Sequence, residues 1–167
     1  MPKYWLDASV FIQSYKGPYS FSLAPGFWSS LDKFAEAGVI RSPMEVHDEL
    51  MEKLEAKDRL ALWAKDRRDC LFTVADESVQ ARYAEIDAHV RSSFDPVGAA
   101  KFMADADSWL IAHALAEGGS VVVTLEVPKG GIAVKIPKIC QTFGIPSINH
   151  YQMLDALGVR FVVNEDA

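Results

Sequence analysis

Carboxylates standing at the ends of apolar runs are the residues of this sequence best suited to chemistry. Asp7 follows Tyr4-Trp5-Leu6 and precedes Ala8-Ser9-Val10-Phe11. Glu126 follows Val121-Val122-Val123-Thr124-Leu125, Asp105 and Asp107 lead the stretch Ser108-Trp109-Leu110-Ile111-Ala112, and Glu49 sits among Val46, Leu50 and Met51. Hard divalent cations such as Mg²⁺ and Mn²⁺ take oxygen ligands of this kind, usually a few carboxylates with water and substrate phosphate. An ion so held acidifies water, orients it and offsets charge on a leaving oxygen, which suits phosphodiester hydrolysis. Acids so far apart in sequence can act together only if the fold gathers them.

The elements that must do the gathering alternate between strand and helix. Tyr4 to Leu6 reads as a short buried strand that delivers Asp7 to a sheet edge, with Ser9 where a helix could begin. Gln13 to Gly26, holding Gly17-Pro18 and Pro25-Gly26, reads as a long loop that could gate a site. A helix is expected over 27–37 and a strand at Val39-Ile40. Ser42, Pro43 and Glu45 then match N-cap, N1 and N3 of a capping box, opening the helix that carries Glu49. Further helices are expected over 58–66 and 78–90, with a polar break at Arg67-Arg68-Asp69, an extended stretch at 71–74 and a loop at 94–98.

An acid-led helix over 104–115 stops at Gly118-Gly119, and Ser120 to Thr124 has the β-branched character of a central parallel strand. The rest reads as a loop at Lys129-Gly130-Gly131, a helix over 136–143, a strand over 145–148, a helix over 151–157 and an edge strand over 161–163. This alternation predicts a three-layer α/β/α sandwich with a largely parallel sheet. In such folds ligands gather at the carboxyl ends of the strands.

Composition narrows the function classes. The 167 residues, half of them hydrophobic, suit a single domain spanning 1–167. No apolar run has transmembrane length and no export segment leads the chain, so a cytoplasmic protein with no membrane partner is expected. Cys70 and Cys140 are too far apart for a zinc motif and read as reduced small hydrophobes. The formal charge of −6 argues against a general electrostatic grip on nucleic acid. It does not exclude a nuclease whose clustered acids hold a metal.

Four motifs carry a family resemblance: Leu6-Asp7-Ala8-Ser9; Ser42 with Val46 and Glu49-Leu50; Ala106-Asp107-Ser108-Trp109-Leu110-Ile111-Ala112; and Val122-Val123-Thr124-Leu125-Glu126. In this order they resemble the PIN domain, the fold of metal-dependent ribonucleases that includes VapC-type toxins. More narrowly they are similar to the DUF4411 family, over nearly the whole chain. The resemblance implies Asp7, Glu49, Asp107 and Glu126 as the acidic quartet, with Asp7, Asp107 and Glu126 as ligands of Mg²⁺ or Mn²⁺ and Asp105 as an auxiliary one. Ser9 and Thr124 match hydroxyl positions that hold the carboxylates or approach the metal. It further implies an RNA substrate and a protein antitoxin as partners, and allows a homodimer. The last acid is Glu126 where many PIN domains have Asp, which lengthens its reach by one methylene.

Each acid also has a plainer reading. Asp105 or Asp107 could cap a helix or complement its dipole, Glu49 could be one more solvated charge beside Asp48 and Glu52, and Glu126 could begin a loop. Trp63 and Trp109 read as core residues, His113 as a packed histidine, and Tyr15, Tyr19 and Phe21 as aromatics that could meet unpaired bases. Two other functions stay open at this point. One is a PIN-like binding module without catalysis, acting through a protein partner. The other is a phosphoryl-accepting receiver or phosphatase type using Asp7, although Ser9 stands where that class would favour a second acid.

Overall fold

A computed structural model describes residues 1–127 and 133–165; the Lys129-Gly130-Gly131 stretch lies outside them. Strand β1, Tyr4–Leu6, is buried along its length and forms the centre of a five-stranded sheet. It pairs in parallel on one side with β2, Ile40–Pro43, through Tyr4↔Ile40 and Trp5↔Arg41. On the other side it pairs with β4, Val121–Val123, through Trp5↔Val122 and Leu6↔Val123. The outer strands are β3, Phe72–Thr73, beside β2, and β5, Ser147–Ile148, beside β4, giving the order β3-β2-β1-β4-β5 with every pairing parallel. The expected parallel α/β sandwich is the observed fold.

Side chains alternate across the sheet, and each face meets its own helices. Tyr4, Leu6 and Val123 enter one core with helices α1 (Ala8–Lys16), α2 (Pro25–Glu36), α3 (Met44–Lys53), α4 (Arg59–Asp66), α5 (Arg68–Leu71) and α10 (His150–Ala156). Trp5 and Val122 enter the other with α6 (Glu77–Ser93), α7 (Pro96–Ala104), α8 (Ala106–Glu117) and α9 (Ile136–Thr142). Helix α8 is buried almost all round, from Leu110 through Ala114, which is why its sequence shows little amphipathic pattern. Gly118 and Gly119, at φ +68° and +64°, turn the chain out of α8 toward β4 through a conformation that side chains resist.

Several local expectations need correction. The chain from Gln13 is not loop until Gly17: α1 runs on to Lys16 because Val10, Phe11 and Ser14 bury one face of it. The loop aromatics pack inward, with Tyr19 stacked on Phe27 at 4.5 Å, Tyr15 edge-on to Phe21 and Phe21 stacked on Trp28. Ser42 does not cap α3. It lies in β2 and donates its hydroxyl to the Leu6 carbonyl at 2.7 Å, tying two strands together, so Pro43 occupies the N-cap position. The stretch 94–98 opens α7, since the Asp95 carboxylate accepts the backbone N–H groups of Val97 and Gly98 and Pro96 fits the first turn. The polar break at Arg67-Arg68-Asp69 leads directly into the one-turn α5. Residues 161–163 form no strand: β5 is only two residues long and offers little edge, and Phe161 instead approaches the Tyr19 ring at 5.9 Å.

Candidate functional site

The path of the chain decides where the acids meet. From β1 the chain moves outward through β2 to β3, then returns to the opposite side of β1 as β4. Segments leaving β1 and β4 therefore diverge to opposite faces, and the crevice between them at the carboxyl ends of the strands is a topological switch point. Asp7 is the first residue after β1, and Thr124, Leu125 and Glu126 follow β4. Glu49 comes from α3 on one face, and Asp105 and Asp107 from the start of α8 on the other. All five acids line one open cleft of about 870 Å³, together with Ser9.

Asp7 is the fixed point of this cleft. It is 5% exposed, and its Oδ2 accepts hydrogen bonds from the Ser9 hydroxyl at 2.6 Å and the Thr124 hydroxyl at 2.9 Å. Both hydroxyls are themselves held: Ser9 Oγ accepts from the Leu125 N–H and Thr124 Oγ1 from the Glu126 N–H, each at 3.1 Å. A carboxylate buried this deeply needs such partners. Burial pushes the Asp7 carboxyl above its ordinary value; the two hydroxyls pull it down, and the charges of Glu126 and Glu49 push it up again.

Asp107 stands in the first turn of α8, half-buried, and its pKa is pushed up to about 8. Burial is the main cause, followed by the charges of Asp7, Glu126, Glu49 and Asp105. That coupling ties the acids from four separate parts of the chain into one electrostatic unit. Asp105 is exposed at the N-cap position of α8, yet its side chain makes no capping bond, so the capping reading has no hydrogen bond behind it.

The outer acids have counter-cations. Glu49 pairs with Lys53 one turn along α3, and the charges of Asp105 and Asp107 also favour the Lys53 ammonium. Glu126 Oε2 accepts the Ile136 N–H at 2.9 Å, and its Oε1 lies 3.8 Å from Lys135 Nζ. Among the described residues no three His, Cys, Asp or Glu side chains already stand close enough to enclose an ion. The donor chemistry nonetheless fits a hard divalent cation. Among the described residues carboxylates and the Ser9 hydroxyl line the cleft and no thiol or imidazole does, and burial with the neighbouring charges holds Asp107 well above an ordinary carboxylate.

The profile of a family described as a domain of unknown function, DUF4411, matches residues 4–161. The chain belongs to the DUF4411 family. No curated protein matches it. The matched span contains every acid of the cleft, so the site belongs to the family region of the chain.

The remaining candidates fall elsewhere. Trp63 is buried and donates to Asp32, and His113 is buried against Trp5 at 4.6 Å, with burial lowering its pKa to about 4. Both cysteines are free, and burial pushes the Cys140 thiol up to about 12. Lys138 lies over the Phe94 ring rather than in the cleft. Trp109 packs against the second core as expected, but it is only half-buried and also lines the cleft. The sequence could not show this, because an almost wholly apolar helix does not reveal which of its faces is left open. Lys53 was also missed, although its spacing of four from Glu49 was a readable signal.

Proposed function

We propose that this DUF4411 protein is a PIN-like, metal-dependent endoribonuclease that hydrolyses RNA phosphodiester bonds. The observation that carries the reading is the convergence of acids from β1, α3, α8 and β4 in one cleft at the switch point, electrostatically coupled through Asp107. Asp7, Asp107 and Glu126 are the ligands for Mg²⁺ or Mn²⁺, with Asp105 as an auxiliary donor. When bound, such an ion supplies charge neutralisation at the scissile phosphate and a more acidic water. Ser9 and Thr124 fix the Asp7 carboxylate so that its other oxygen is presented in one orientation. Glu49, from the opposite wall, orients the attacking water and takes its proton.

The family resemblance extends the reading to a toxin of a toxin–antitoxin pair, acting in the cytoplasm, blocked by a protein antitoxin and able to form a homodimer. Among the described residues no helix is long and apolar enough to cross a membrane, which is compatible with that setting.

The test is cleavage of a mixed RNA pool with Mn²⁺, Mg²⁺ or EDTA, comparing the wild type with folded Asp7→Asn and Asp107→Asn. Disturbing a residue that merely supports a metal ligand costs 10–100-fold, so loss of a ligand should cost at least about 100-fold. Cutting that persists in EDTA or in both variants would refute the assignment. A wild type that cuts no RNA, while binding a protein partner tightly, would replace it with the non-catalytic binding module.

A further inference from the structure

Beside its acids the cleft holds an aromatic side chain for which metal chemistry gives no use. Trp109 is the only aromatic residue lining it among the described residues, on the same helix as Asp107. The Tyr83 ring stacks on the indole at 4.0 Å with planes 20° apart, and the Tyr83 hydroxyl donates to the Met103 carbonyl at 2.7 Å. The indole is thus backed by a ring that is itself tethered, so it is held in place before any ligand arrives.

Its N–H is the second observation. The other three tryptophans all spend theirs: Trp5 on Glu117 at 3.0 Å, Trp28 on the Tyr19 carbonyl at 2.7 Å and Trp63 on Asp32 at 3.0 Å. Among the described residues nothing accepts from Trp109. Trp109 is half-buried, and its N–H is not among the buried polar atoms left without a partner, so it remains open to a ligand entering the cleft. A rigid aromatic surface with a free donor, at the wall of a reactive cleft, has the chemistry to meet a heteroaromatic ring carrying acceptors.

Charge makes such a contact necessary. Among the described residues eight carboxylates line the cleft against a single cation, Lys53. A phosphodiester chain therefore finds little of the lysine and arginine contact that usually supplies nucleic-acid affinity. Stacking of unpaired bases on aromatic side chains is the available substitute, and it needs no positive charge. Bases inside a duplex are already stacked and cannot reach a side chain in this way.

We propose that Trp109 is the docking surface for an unpaired nucleotide of the RNA next to the scissile phosphate, the base resting on the indole and an acceptor of that nucleotide receiving its N–H. This rests on the nuclease reading above and narrows it to single-stranded substrate.

The test uses the full chain carrying Asp7→Asn, which disables cutting, and the anisotropy of a fluorescently labelled, mixed-sequence, single-stranded RNA of about ten nucleotides in Mg²⁺. Adding Trp109→Ala should weaken binding by roughly 5- to 150-fold, the range found when one stacked base loses its platform. Trp109→Phe should retain most of the affinity. Scanning an abasic nucleotide along the RNA should find one position where the loss is large with Trp109 and absent with Trp109→Ala. A merely structural tryptophan would not produce that dependence on one base. Equal abasic losses in both proteins, or binding within twofold after Trp109→Ala, would overturn the inference.

If the Ala variant does not fold, indole fluorescence compared with Trp109→Phe carries the test. RNA should quench emission of the Trp109 protein and not that of the Phe variant, and equal quenching would overturn the inference. The two readings fail separately. Wild-type cutting that is indifferent to Trp109 would leave the nuclease and remove this contact. Base-dependent binding at Trp109 with no cutting at all would remove the nuclease and leave an RNA-binding cleft.

Discussion

Asp107→Asn should make the metal-free protein more stable, and the gain should depend on pH in a defined direction. In the folded chain the Asp107 carboxyl titrates at about 8, against 3.8 for an unperturbed one. Below about pH 4 the group is protonated in both folded and unfolded states. Between 4 and 8 the folded state keeps a proton that the unfolded chain has released, so stability falls as pH rises through that window and levels off above it. Asparagine is neutral throughout and close in shape, so its advantage over the wild type grows across the same window.

A shift of about four units corresponds to a ceiling of about 5 kcal/mol. Glu49 and Glu126 have side chains 24% and 25% exposed and can turn toward water as Asp107 ionises. That relaxation reduces the expected growth to roughly 2 kcal/mol between pH 4.5 and 8.5, because the burial cost of a charge shrinks when neighbours and water rearrange. Urea unfolding in EDTA at the two pH values reads it as a midpoint shift of about 1 M at the higher pH. Mn²⁺ at a hundred times its Kd should then stabilise the wild type by about 2.7 kcal/mol and erase the advantage. An advantage that is flat with pH, or a variant less stable than the wild type at pH 8.5, would refute the idea that mutual repulsion and burial govern this carboxyl.

Two other substitutions separate structure from chemistry. Glu126→Gln keeps an oxygen to accept the Ile136 N–H, so its melting temperature should stay within a few degrees of the wild type while Mn²⁺-dependent cutting falls by at least about 100-fold; equal cutting would remove Glu126 from the ligand set. Asp95→Ala removes the acceptor of two backbone N–H groups at the start of α7 and should cost about 1 kcal/mol in urea unfolding, with activity unaffected. No loss would mean that α7 does not depend on this cap.

What could be read from the sequence depended on how local the cause was. Asp7 and Glu126 were legible because each follows a buried β-branched or aromatic run, and the rule placing chemistry at strand carboxyl ends needs nothing else. Ser9 and Thr124 were assigned by the family resemblance, and their hydroxyls do meet on Asp7. Asp107 and Asp105 could be named as a pair, but only the fold shows Asp107 half-buried and facing three other acids while Asp105 stays exposed. The misreading of Ser42 has the same origin. Its best partner is the Leu6 carbonyl, 36 residues away in sequence, and a capping pattern read over four residues cannot compete with a bond it does not see. Asp95-Pro96 failed in the other direction: the pair serves equally as a turn or as a helix start, and the burial of Ala99, Phe102 and Met103 decides for the helix.

The same division between local and distant causes bears on how an acidic chain could present the proposed nuclease site to a polyanion. Strand ends and helix starts supply carboxylates wherever the local sequence permits, and the sheet order brings them to the crevice between β1 and β4. The compensating groups are distributed differently. Lys53 and Lys135 pair directly with the outer acids, Glu49 and Glu126, while Asp7 has hydroxyls and Asp107 meets Lys53 only through longer-range charge. Among the described residues no positive charge stands at the centre of the cleft, between Asp7 and Asp107, where a divalent cation would have the most repulsion to relieve. On the proposed function, an acidic balance that argues against a broad nucleic-acid grip would, at this one point, favour binding of a metal before the substrate.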